Sequence, residues 1–143
     1  MPKTRITPYV FFQGNCEEAI HFYQQAIGAK TLMLMRFNES PDAPPPGLLE
    51  PGFETKVMHS SILVGDTQIY LSDGCDSKPV DYSGIRLAIS FDDPETVKQA
   101  FAGLSQGGKV EMELQQTFWS PLFGMVQDKY GIGWMVSILD EPS

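Results

Sequence analysis

Few side chains in this sequence combine reactive chemistry with a spacing that would bring them together. His59 and Ser61 alternate with Met58, Ser60 and Ile62 in one run of strand-forming residues, and Tyr70 and Ser72 with Ile69 and Leu71 in the next. Side chains on a pleated strand point alternately to its two faces, so each pair shares a face. An imidazole on such a face serves as acid, base or hydrogen-bond anchor, which makes His59 the best catalytic candidate. Asp73, next along, either orients His59 or caps a turn, and the turn is the preferred reading. Met135 and Ser137 form a third pair near the C-terminus. Trp119, with Phe118 before it and Pro121 after it, reads either as core or as a rim aromatic able to stack on a planar or cationic ligand.

Other reactive groups weigh less. Cys16 falls in the first turn of an expected helix, where the dipole lowers a thiol pKa, but no base adjoins it. Cys16 and Cys75 lie far apart without CxxC spacing and read as free thiols. Glu111 and Glu113 share a strand face and invite an acid-base pairing, yet without a charged partner they read as exposed carboxylates. Arg36 and His21 read as solvated. No GxGxxG, phosphate loop, GxSxG or HExxH is present.

Periodicity supplies the elements that must hold these residues. Ile6 to Phe12 is a strand made irregular by Pro8. Asn15 with Glu18 has the pattern of a capping box, opening a helix through Ile27 that Gly28 ends. Thr31 to Phe37 is a second strand. Asn38 to Lys56 carries five prolines and reads as a long irregular connection, a lid in the favoured reading. Val57 to Val64 and Thr67 to Asp73 form a hairpin across Gly65 and Asp66. With Ile62, Val64, Ile69 and Leu71 assigned to a buried face, His59, Ser61, Tyr70 and Ser72 fall on the other. Gly74 to Ser83 is a turn-rich linker. Ile85 to Phe91 is a strand, Asp93 caps a helix with Pro94 at its first position, and Val97, Ala100, Phe101 and Leu104 form its stripe. Val110 to Gln116 is another strand. The run from Thr117 to Leu139 is a hairpin turning at Asp128 to Gly131, with Trp134, Val136 and Ile138 expected to pack under a helix.

Strand, helix and three strands thus occur twice. Ile20 with Val97 and Ile27 with Leu104 match at a common offset of 77 residues. A chain of 143 residues suits one domain, with module one at about 5–74 and module two at about 84–140. A net charge of -8 argues against a nucleic-acid partner and would suit a cationic ligand. No apolar run reaches the ~18 residues that cross a bilayer, and Met1 to Arg5 leads into a strand, so the cytoplasm is the expected location.

Paired βαβββ modules are the architecture of the vicinal oxygen chelate superfamily, which includes glyoxalase I, extradiol dioxygenases and bleomycin-resistance proteins. Asp128 to Val136 resembles a strand opening common there. Thr7-Pro8-Tyr9, Gly14 to Ile20 with Phe22-Tyr23, Thr117-Phe118-Trp119 and Phe123-Gly124 resemble the PhnB-like branch. The resemblance implies an α+β fold in which two modules form a curved mixed sheet of half-barrels, with helices on the convex side and a small organic molecule in the concave side. Tyr9, His59, Ser61, Tyr70, Ser72, Trp119, Met135 and Ser137 would line that hollow. It also implies a homodimer. Metal-dependent members draw ligands from places that correspond here to Thr7 or Pro8, Tyr70 or Ser72, Arg86 or Leu87, and Met135, none a usual ligand of a catalytic divalent ion. No cofactor and no metal site are therefore expected. Alternatives are a lyase, isomerase or dioxygenase whose metal is held by His59 and a carboxylate, and sequestration of a cationic antibiotic. Members of this branch sometimes carry a ubiquinone methyltransferase label, which the missing glycine-rich nucleotide turn discounts.

Overall fold

The computed structural model describes residues 2–139. Met1 and residue 140, the expected far boundary of module two, lie outside the described residues. The elements run β1 (Tyr9–Phe11), α1 (Cys16–Ile27), β2 (Lys30–Arg36), β3 (Val57–Val64), β4 (Thr67–Ser72), β5 (Arg86–Phe91), α2 (Pro94–Ser105), β6 (Lys109–Gln115), β7 (Phe123–Gln127) and β8 (Gly133–Ile138). They build two four-stranded mixed sheets, ordered β1-β4-β3-β2 and β5-β8-β7-β6. In each sheet the module's first strand runs parallel to its last, and the remaining pairs are antiparallel. The α+β fold of two βαβββ modules is the one the pattern predicts. One compact unit runs to Val80 and another from Asp81, with Gln25–Ile27 grouped in the second.

β1 is shorter than the apolar run that encodes it because Pro8 has no N–H to give a ladder. Its carbonyl still accepts from the Tyr70 amide at 2.9 Å. α1 buries Cys16, Ala19, Ile20 and Tyr23, and Gly28 closes it in the left-handed conformation at φ 69°. Its start differs from expectation, since Asn15 makes no side-chain cap bond. The Asp73 carboxylate takes that place, accepting from the amides of Gly14 and Cys16 at 2.8 Å each. α2 begins as predicted, with Asp93 accepting from the Thr96 amide at 3.1 Å.

The register of the first sheet, with Ser60 opposite Leu71 and Ile62 opposite Ile69, places all four on one buried face. In the second sheet Trp134, Val136 and Val126 are buried on the side where α2 meets β7 and β8. Gly124 lets that helix close in, for a Cβ there would lie 2.7 Å from Phe101. Asp128 fixes the last hairpin by accepting from the Tyr130 and Ile132 amides and from the Trp134 indole N–H.

The connection between β2 and β3 is strapped at its far end and so is no free flap there. Glu50 donates its amide to the Cys75 carbonyl at 2.8 Å and accepts on Oε1 from both the amide and the hydroxyl of Ser77. Phe53, in a single 3-10 turn, is buried.

Candidate functional site

Five of the eight candidate residues belong to the first unit, and the strand register gathers them. Tyr9 pairs with Tyr70 in parallel and Tyr70 with Ser61 in antiparallel, so the three side chains cross β1, β4 and β3 on the face opposite the buried one. His59 sits on that face two positions before Ser61, opposite Met35 of β2. The Tyr9 hydroxyl lies 2.9 Å from His59 Nδ1. The His59 ring stands 5.0 Å from Tyr70 and 5.5 Å from Tyr9, centroid to centroid, and Phe11 stacks on Tyr9 at 4.8 Å. Tyr9 is 43% exposed and His59 and Tyr70 are partly so, leaving the group open to a ligand.

Burial pushes the Tyr9 hydroxyl above the ordinary phenol range, so it remains a protonated phenol at neutral pH. A phenol can donate to Nδ1, and a ring that accepts there carries its hydrogen on Nε2. The His59 ring lies between aromatic walls.

The two serines serve the fold. Ser61 donates to Gln68 Oε1 at 3.0 Å, while Ser72 donates to the Val57 carbonyl and accepts from the Gly74 amide, and both are buried. Asp73 takes the turn reading. Its carboxylate accepts from three amides, those of Gly14, Cys16 and Val57, and makes no bond to His59. The N-terminus of α1 is thereby filled by the chain's own anion. Cys16 is fully buried, and burial first, then the Asp73 charge, pushes its thiol far above the ordinary range, the reverse of activation. Arg36 is ion-paired rather than solvated, its two terminal nitrogens each 2.9 Å from an oxygen of Glu17.

The other three candidates belong to the second unit. Met135 and Ser137 stand on the face away from α2, opposite Met125 and Phe123 of β7. The Ser137 hydroxyl is 2.9 Å from that of Ser90. Trp119 is half-exposed and meets Phe123 edge to face at 5.4 Å.

Sequence reasoning missed the ion pair on this face. Arg86 Nη1 donates to Glu111 Oε1 at 2.5 Å, so Glu111 does have a charged partner. The bond to Arg86 holds the Glu111 carboxyl below its usual range, and the bond to Glu111 raises Arg86. The repeat could have revealed the position, since Arg86 follows Tyr9 by the same 77 residues that relate the helices.

The places that would carry a divalent ion do not suit one. Arg86 puts a fixed positive charge at one of them, Tyr70 packs edge-on against His59, and Met135 offers only a thioether beside Met125. Among the described residues no three His, Cys, Asp or Glu side chains converge.

The family model described as 3-demethylubiquinone-9 3-methyltransferase matches residues 4–137. The chain belongs to that family. Protein YjdN of Escherichia coli (strain K12) is 34% identical over 143 residues, covering 95% of this chain and 96% of YjdN. Protein PA1353 from Pseudomonas aeruginosa is 32% identical, with a TM-score of 0.77 over 97% of this chain and all of that one, 100%. The PhnB protein from Bacillus cereus has the same fold, with a TM-score of 0.77 at 23% identity over 95% of this chain and 100% of its own. The chain thus has the fold of the PhnB protein and is a relative of YjdN and PA1353. No described helix is long and apolar enough to cross a membrane.

Proposed function

We propose that this PhnB-like protein binds a small, flat organic molecule on the open face of its first sheet, with His59 as the hydrogen-bond anchor. The observation that carries the reading is the Tyr9 hydroxyl held 2.9 Å from His59 Nδ1. In this reading the phenol donates to Nδ1 and the imidazole hydrogen sits on Nε2, a donor suited to a carbonyl or ether oxygen. The rings of Tyr9, Tyr70 and Phe11 supply apolar faces and edges for a planar ligand. Methyl transfer is not part of the proposal, because the strand-to-helix turn after β1 already has Asp73 on its amides.

Coumarin, a neutral fused ring with one carbonyl acceptor, is a suitable probe. Its affinity, read by fluorescence, should fall about tenfold or more in Tyr9→Phe and His59→Ala, as expected for loss of a positioned hydrogen bond and its aromatic wall. Equal affinity in wild type and both variants would remove the proposal.

We further propose a homodimer. The hydrogen-bond ladders leave β1 and β2 at the edges of one sheet and β5 and β6 at those of the other, and β2 exposes Leu32 and Met33.

A further inference from the structure

Tyr9 and Arg86 occupy the same corner of their respective sheets. Each lies on the module's first strand, and each pairs in parallel with the last, Tyr9 with Tyr70 and Arg86 with Gly133. In the first unit that corner is filled by aromatic rings. In the second the partner is glycine, and the arginine side chain lies down over it. A Cβ at Gly133 would stand 2.8 Å from Arg86 Nη1, 3.0 Å from Cγ and 3.2 Å from Cζ. Gly133 is not among the positive-φ glycines, so its backbone does not demand glycine; a Cβ there would instead displace the Arg86 side chain.

From there Arg86 reaches Glu111 on β6, across β8 and β7. Glu111 engages Nη1 alone, and no other described acceptor bonds to the guanidinium. A guanidinium has five N–H donors in a planar fork, so the edge turned away from Glu111 keeps its donors. The side chain is 33% exposed and borders a cavity of about 180 Å³ lined also by its partner Glu111, by Gly133, and by Tyr82, Ser83, Ile85, Gln127 and Gly131. That cavity offers the unused donors of the ion-paired Arg86, a serine hydroxyl and an apolar wall from Ile85, with room for a small molecule.

We propose that Arg86 anchors the carboxylate of a small organic acid in this cavity, with Glu111 and Gly133 positioning the guanidinium. The pairing is bidentate, through the donors that Glu111 leaves unused. Glu111 offsets part of the arginine charge, so binding is weak and depends on geometry as well as on charge. This site stands independently of the His59 reading, which concerns another sheet and a neutral ligand.

Benzoate tests it, with benzamide as the neutral counterpart of the same shape. In amide and arginine side-chain 1H–15N spectra of the full chain, benzoate should shift Arg86 Nε–H, Gln127 and Gly133, and benzamide should not. Arg86→Met should weaken benzoate binding about tenfold or more, the scale of a charge-assisted bond. Gly133→Ala should weaken it with Arg86 still present, because the guanidinium must lift. Arg86→Lys, which keeps the charge without the fork, should fall between wild type and Arg86→Met. Unchanged amide dispersion elsewhere shows that each variant is folded. Benzoate binding that persists in folded Arg86→Met, benzamide binding equally well, or no shift at these three residues would each overturn the proposal.

Discussion

Asp73 is a buried carboxylate whose bonds are all to backbone. Its two oxygens accept from Gly14, Cys16 and Val57, tying the start of α1 to the start of β3. Removing it orphans three amides, so Asp73→Ala should cost about 3 kcal/mol, read as a lower urea midpoint with unchanged slope. A loss below about 1 kcal/mol would mean that water or a shifted backbone replaces it. Cys16 gives a pH test. Its folded thiol holds its proton far above the value of 9.0 at which a free thiol ionises. The unfolded chain therefore releases that proton first, and stability falls as pH rises past about 9, by up to about 1.4 kcal/mol per pH unit. Cys16→Ala should lose that part of the alkaline slope, seen by comparing urea midpoints of the two proteins at pH 8 and 10. Identical slopes would show that the thiol is free to ionise in the folded chain.

At the scale of elements, Gly124 sets how closely α2 sits on the second sheet. A methyl there would meet Phe101 at 2.7 Å and Leu114 at 3.0 Å. Gly124→Ala should destabilise by about 1–3 kcal/mol, the usual range for overpacking, by thermal or urea unfolding. Stability equal to wild type would mean that the helix shifts freely. The helices and hairpins were legible because each carries a local signal, such as Gly28 after the α1 stripe or Pro94 after Asp93. Alternation put His59 and Tyr70 on one face, and that face is the one observed. What stayed hidden depended on partners distant in sequence. Asp73 reaches Cys16 across 57 positions and displaces Asn15 as the cap, and Arg86 reaches Glu111 across 25. Local pattern shows where a side chain points but not what meets it. For the same reason Ser61 and Ser72, rightly placed by parity, could not be seen to spend their hydroxyls internally.

For the whole molecule, the edge strands and the exposed Leu32 and Met33 of β2 lead to the proposed homodimer. Light scattering coupled to size exclusion should give about twice the 15.9 kDa chain mass at micromolar concentration, and a single chain mass would contradict it. The claim at the centre, however, is that Tyr9 prepares His59 as a donor inside an aromatic corner. A crystal structure of the protein with coumarin tests it most directly. The account predicts the fused ring against Tyr9 and Tyr70, with its carbonyl oxygen within hydrogen-bond distance of His59 Nε2. Coumarin bound elsewhere, or bound there with its carbonyl turned away from His59, would contradict it.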